Sequence, residues 1–140
     1  LSGDASAIRY GLYALGLLAV IAFVPRLIKR TRQGKITWIE TEELQRQMTG
    51  GAALAIVDVR GSDEFVGELG HIPGAVNIPV GDIADRLIEI KAMGDKPVIM
   101  VCKTDKRSAR AAEVLRDGNF ADVRVLRGGM ERWKKEGERS

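Results

Sequence analysis

Hydrophobic residues fall along this chain in two regimes. From Gly11 to Val24 fourteen residues pass without a charge, and apolar side chains occupy every face of a helix. From Ile36 onward they come in short runs separated by glycine and charged residues. The second regime predicts strands over 36–39, 54–59, 75–78, 98–101 and 123–126. It predicts helices over 42–48, 82–93, 108–116 and 130–136, with 61–68 a loop holding a helical turn. Thr41 is placed to cap the first of these helices and Gly50-Gly51 to end it. Ile83, Leu87 and Ile90 recur at helical spacing. Strands alternating with helices predict an α/β domain, a parallel sheet of about five strands covered on both faces. Such sheets bind ligands beyond the carboxyl ends of their strands.

The first regime reads as a membrane anchor. Fourteen residues of helix span only ~21 Å, short of a hydrocarbon core of ~30 Å. Residues 8–28 reach ~31 Å, with Arg9 and Arg26 near the ends, where long cationic side chains snorkel to the interface. Tyr10 and Tyr13 sit where an aromatic belt would. A secretory signal peptide fits the apolar length, but Pro25-Arg26-Leu27-Ile28-Lys29-Arg30 follows where a small-x-small cleavage site should stand. Arg26, Lys29, Arg30, Arg32 and Lys35 follow the apolar run, against Asp4 and Arg9 before it, so the positive-inside rule predicts a single-pass protein with its C-terminal domain in the cytoplasm. The expected division is 1–35, an anchor with a basic linker, and 36–140, the globular domain. A first residue of Leu rather than Met reads as a fragment, a processed form or a trimmed one.

Charge changes this picture in one respect. Residues 1–35 carry a balance of +5 and residues 36–140 a balance of −2, so the basic character belongs to the extension. The domain lacks the excess of cations expected of a nucleic-acid-binding module. One cysteine and one histidine allow neither an internal disulfide nor a protein-only zinc site, and no cofactor is expected.

The single cysteine, Cys102, follows directly on the apolar run Pro97–Val101 and precedes the helical stretch that starts near Ser108. At such a junction backbone N–H groups of an incipient helix converge and favour an anion, here a thiolate. Lys103, Lys106 and Arg107 add positive charge. No histidine lies near the loop to serve as a base. Most free cysteines are buried hydrophobes, but three cations within five residues do not suit an apolar core.

The run Cys102-Lys103-Thr104-Asp105-Lys106-Arg107-Ser108 resembles the active-site loop of the rhodanese family of sulfurtransferases. Ile56–Arg60 is similar to the family's Asp-Val-Arg strand, and Gly70-His71-Ile72-Pro73-Gly74-Ala75-Val76-Asn77-Ile78-Pro79 to its most distinctive motif. Gly118-Asn119-Phe120, Val123–Leu126 and Gly128-Gly129-Met130-Glu131-Arg132-Trp133 resemble its C-terminal signature, so four motifs in order cover residues 36–137. The resemblance implies a three-layer α/β/α domain. It also implies ping-pong chemistry in which Cys102 takes a sulfane sulfur from a small donor such as thiosulfate. Cys102 then passes it to a thiol, cyanide or a protein acceptor.

Lys103, Thr104, Asp105, Lys106, Arg107 and Ser108 are the expected substrate-binding loop. Arg107 would either bind an anionic donor or tie the loop to the fold, and Ser108 would cap the following helix. The family often has glycine where this chain has Asp105. That carboxylate would repel thiosulfate if it pointed inward, or pair with Lys103 or Lys106 if it pointed outward. Asp58, Arg60 and His71 are expected to be structural, and Trp38 and Trp133 to pack. Gly128-Gly129 is expected to form a tight turn into the last helix.

Phosphatases and arsenate reductases of related fold place five residues between Cys and Arg. The four here make a narrower loop, which favours sulfur over a tetrahedral oxyanion. A persulfide carrier and a non-enzymatic interaction module remain as alternatives.

Overall fold

The structure is a computed structural model that describes residues 3–32 and 35–138, with side chains described for 6–24 and 36–138. It forms two compact units, Leu1–Gln33 and Gly34–Ser140.

The first unit is one helix, α1 (Gly3–Arg32). Its segment Ser6–Val24 is long and apolar enough to cross a bilayer, and its side chains are exposed throughout. The helix does not end near Pro25 but continues through it, so most of the stretch expected as a linker is helical backbone. The basic side chains of Arg26, Lys29, Arg30, Arg32 and Lys35 lie outside the described ones.

The second unit is a five-stranded sheet with every neighbouring pair parallel. Its elements are β1 (Lys35–Ile39), α2 (Thr41–Thr49), β2 (Ala55–Asp58), α3 (Ser62–Phe65), β3 (Val76–Asn77), α4 (Leu87–Lys91), β4 (Val98–Val101), α5 (Lys106–Asp117), β5 (Asp122–Leu126) and α6 (Gly129–Gly137). The strand order is β1-β5-β4-β2-β3, which makes β4 the central strand. Strand periodicity divides the core in two. Val57, Val98, Met100, Val123 and Val125 face one way and pack on Ala111, Ala112 and Leu115 of α5 and Ile90 of α4. Ile56, Ile99, Val101 and Leu126 face the other way and meet Leu44 of α2 and Met130 of α6. The result is the three-layer α/β/α arrangement expected from the alternation of strands and helices.

Three local expectations are corrected. The helix predicted over 82–93 is a 3-10 turn at Val80–Asp82, a turn through Arg86 and a short helix at Leu87–Lys91. Ile83 and Ile90 are both buried on the sheet, but Arg86 leaves the helical region (φ −111°, ψ 18°) and interrupts the turn between them. Thr41 is not a cap: it is the first residue of α2, buried, with no hydrogen bond to its hydroxyl. Trp38 is not packed but 46% exposed, on edge strand β1, with the Arg127 guanidinium 4.7 Å above its ring.

Candidate active site

Cys102 is the first residue beyond β4, at the carboxyl end of the central strand, and is 1% exposed. Its chain direction is fixed on both sides. On the strand side, Val59 N–H donates to the Val101 carbonyl at 2.8 Å. On the loop side, Met130 N–H donates to the Cys102 carbonyl at 2.9 Å and Glu131 N–H to the Lys103 carbonyl at 3.1 Å. The first amides of α6, which have no acceptor within their own helix, therefore hold the carbonyls of the cysteine loop.

This approach depends on Gly129. Its φ is +56°, and a Cβ there would lie 2.0 Å from the Thr104 carbonyl oxygen and 2.3 Å from that of Cys102. The glycine pair thus does more than form the expected turn: it lets the start of α6 touch the backbone of the reactive loop.

The loop ends where α5 begins, at Lys106, so the amides of Lys106, Arg107 and Ser108 have no acceptor within the helix. Asp105 occupies the N-cap position but makes no side-chain cap. Its carboxylate instead accepts a hydrogen bond from Gly128 N–H at 3.1 Å. It neither points into the loop nor pairs with a neighbouring lysine; Lys103 pairs with Glu131 at 3.7 Å. The cap is supplied by sulfur. Ser108 N–H donates to Cys102 Sγ at 3.4 Å, an N3 amide on an acceptor that closes the first turn.

Ser108 is not the helix cap either. It lies within α5, buried, with its hydroxyl 3.3 Å from Cys102 Sγ and donating to the Asp105 carbonyl at 3.1 Å. The helix starts two residues earlier than the sequence pattern suggests, because Lys106 and Arg107 are polar and carry no periodic signal. The hydroxyl has one proton. When the sulfur is a thiol, S–H donates to Oγ and O–H to the carbonyl. When the sulfur is anionic, the same proton turns toward it.

Arg107 lies across from α3. Its guanidinium makes a bidentate pair with Glu64, with contacts of 2.7 and 2.8 Å. That hydrogen-bonded pairing, aided by Gly61 N–H, holds the Glu64 carboxyl down at about 2. Glu64 raises the Arg107 pKa in turn. Of the two roles expected for Arg107, the structure shows the tie to the fold. Lys103, Thr104 and Lys106 are exposed around the loop.

Beneath α3, Asp58 and Arg60, both expected to be structural, form a buried pair with contacts of 2.7–3.1 Å. Arg60 also donates to the carbonyls of Glu64 and Gly70, and Asn77 donates to the carbonyls of Asp58 and Arg60. One buried ion pair thus fixes the segment that presents Glu64 to Arg107. His71, exposed, hydrogen-bonds the Phe65 carbonyl at 2.9 Å and stacks on its ring, which is structural work.

Sequence reasoning missed Glu64, Met130 and Glu131. Glu64 carried no signal beyond lying in a loop with a helical turn. The glycine pair ahead of the last helix was the available hint for Met130 and Glu131. A surface hollow of about 540 Å³ beside Trp38, Glu43 and Arg124 does not include Cys102 in its lining.

A cysteine at the end of a central parallel strand, seated on the first turn of a helix, is the arrangement the motifs pointed to. Residues 40–136 match the Rhodanese-like domain. The chain belongs to this family. It is 37% identical over 118 residues to the uncharacterized protein YqhL of Bacillus subtilis, a match covering 84% of this chain and 89% of that one. It is 38% identical over 96 residues to the thiosulfate sulfurtransferase GlpE of Pseudomonas savastanoi, covering 69% and 85%. The human single-domain sulfurtransferase TSTD1 superposes with a TM-score of 0.60 at 26% identity, covering 74% of this chain and 98% of that one. Of several other curated relatives the chain spans less than half the length. Rhodanese-like domains with the name sulfurtransferase are therefore among its relatives in both sequence and fold.

Proposed function

We propose that the chain is a sulfurtransferase, tethered at a membrane, that carries a sulfane sulfur on Cys102 as a persulfide. The observation that carries this reading is the seat of Cys102 Sγ, which accepts Ser108 N–H at 3.4 Å with the Ser108 hydroxyl 3.3 Å away. Both groups stabilise a sulfur anion, and the first amides of α5 add the positive end of a helix. In the first half-reaction the thiolate attacks the outer sulfur of the donor. With thiosulfate, a Cys–S bond to that sulfur forms, the S–S bond of thiosulfate breaks, and its electron pair leaves with sulfite. In the second, a thiolate or cyanide attacks the outer sulfur of the persulfide and the Cys102 thiolate departs. The outer sulfur, one S–S bond of ~2 Å from Sγ, is the cargo for the amides of Lys106 and Arg107. Lys103, Thr104 and Lys106 form the exposed rim over which donor and acceptor pass.

The apolar segment Ser6–Val24 supports the tether, and the basic residues that follow it support a cytoplasmic domain. Protease accessibility of the domain in sealed inside-out and right-side-out vesicles tests that orientation.

The deciding experiment is intact mass of the full chain in detergent before and after incubation with thiosulfate and with an alkyl persulfide, beside Cys102→Ser. A gain of one sulfur by the wild type alone supports the reading. A folded, reduced wild type that gains none from either donor overturns it.

A further inference from the structure

Two of the three cations of the reactive loop are paired with a carboxylate, and the loop carries one carboxylate of its own. Arg107 is held by Glu64, and Lys103 lies 3.7 Å from Glu131 on α6. Lys106 makes no ion pair among the described residues, and Asp105 in the same loop offsets it. These six groups sum to zero, and the buried Asp58–Arg60 pair beneath them is neutral as well. The sequence alone shows three cations around the cysteine. The folded chain returns the matching negative charge from two elements distant in sequence, α3 and α6.

A rim without net charge gives a dianion no long-range attraction. Arg107 cannot leave Glu64 for an incoming anion without exposing that carboxylate to it. From this, resting on the sulfurtransferase reading, we infer that Glu64 and Glu131 are specificity-determining residues that set the site for a neutral or singly charged sulfane donor, such as the persulfide of a thiol, over thiosulfate. For a persulfide donor the balance is simple. Cys102 thiolate attacks the outer sulfur of R–S–SH, the donor's S–S bond breaks, R–S⁻ leaves with its electron pair, and the proton stays with the transferred sulfur.

The test uses two donors of matched chemistry, thiosulfate (a dianion) and benzenethiosulfonate (a monoanion). Loading of Cys102 in the full chain is followed by quenched intact mass between about 10 and 200 mM salt. The wild-type loading constant for thiosulfate is expected to change less than about twofold across that range. Deleting one negative charge about 6 Å from the donor in a water-like medium favours a dianion up to about tenfold and a monoanion about threefold before screening. Glu131→Gln, on an exposed side chain, should therefore raise thiosulfate loading several-fold at low salt, more than benzenethiosulfonate loading, and lose the gain at high salt. Glu64→Gln should act in the same direction. The inference is overturned if the wild-type constant for thiosulfate falls about fivefold or more with salt. It is equally overturned if Glu131→Gln leaves the ratio of the two donors unchanged. Loading by neither donor, nor by an alkyl persulfide, would instead overturn the sulfurtransferase reading itself.

Discussion

The carboxylate of Asp105 accepts a hydrogen bond from the Gly128 amide at 3.1 Å, and this contact joins the reactive loop to the turn before α6. It explains how an acidic residue is accommodated in a loop built around a sulfur anion. The side chain that would ordinarily cap α5 is turned away, and Sγ takes the place it leaves. Asp105→Asn keeps an acceptor for Gly128 N–H, whereas Asp105→Gly does not. We expect the asparagine variant to stay within about 0.5 kcal/mol of wild type and the glycine variant to lose about 1–2 kcal/mol. Urea denaturation of the two variants measures the difference.

Gly129 should be the least tolerant position near the site. Gly129→Ala puts a methyl group on three carbonyl oxygens and forces an alanine into left-handed backbone. The expected cost is above about 3 kcal/mol, with loss of Cys102 loading. Gly137, at the other end of α6, has open space around it, so Gly137→Ala is the matched control. Thermal melts of the pair give the contrast.

The buried Asp58–Arg60 pair leads to a second large effect. Arg60→Ala strands a carboxylate in the interior and removes two bonds to the carbonyls of Glu64 and Gly70. A loss of about 3–5 kcal/mol is expected. Because Arg60 sets the segment that carries Glu64, chymotrypsin should also cut this segment sooner in the variant than elsewhere in the domain.

Acid should act through Glu64. Its carboxyl lies at about 2 in the folded chain, chiefly through the bidentate Arg107 contact, against 4.5 for the free group. A lowered carboxylate contributes stability that is present above 4.5 and is lost as pH falls through the interval down to about 2. Both side chains are more than a third exposed, so solvent screening keeps the gain small. Denaturation midpoints at pH 7 and pH 3 should differ less in Arg107→Gln than in wild type, since that variant lacks the pairing.

Ser108→Ala removes the hydroxyl beside the sulfur but keeps the amide donor. Alkylation of Cys102 by iodoacetamide at pH 7 should slow several-fold, with the fold preserved. Unchanged alkylation would leave the hydroxyl only its bond to the Asp105 carbonyl.

Much of this is legible in the sequence. The run Val98–Val101 ending at Cys102 reads as a buried strand with a nucleophile at its tip, because a strand covered on both faces is apolar at every position. The motif around Gly70–Pro79 and the Asp58–Arg60 pair carried the family. What stayed hidden was contact between parts far apart in the chain. No local pattern joins Arg107 to Glu64, Asp105 to Gly128, or the amides of Met130 and Glu131 to the loop, since each depends on how α3 and α6 settle against the sheet. Helix limits failed for a related reason. Lys106 and Arg107 begin α5 without an apolar stripe, and Arg86 interrupts a stripe that Ile83 and Ile90 only imitate.

One consequence concerns order in time. β1, first among the strands in the chain, lies at the sheet's edge and pairs only with β5, the last to be synthesised. Parallel pairing of segments so far apart is slow, since loop closure must precede any gain. During translation β1 waits with an open edge until Leu126 has emerged. Any truncation before β5 leaves Trp38 on a strand with no lawful neighbour, free to pair with another copy. Expression of such a product should end in aggregates, not in a smaller folded domain.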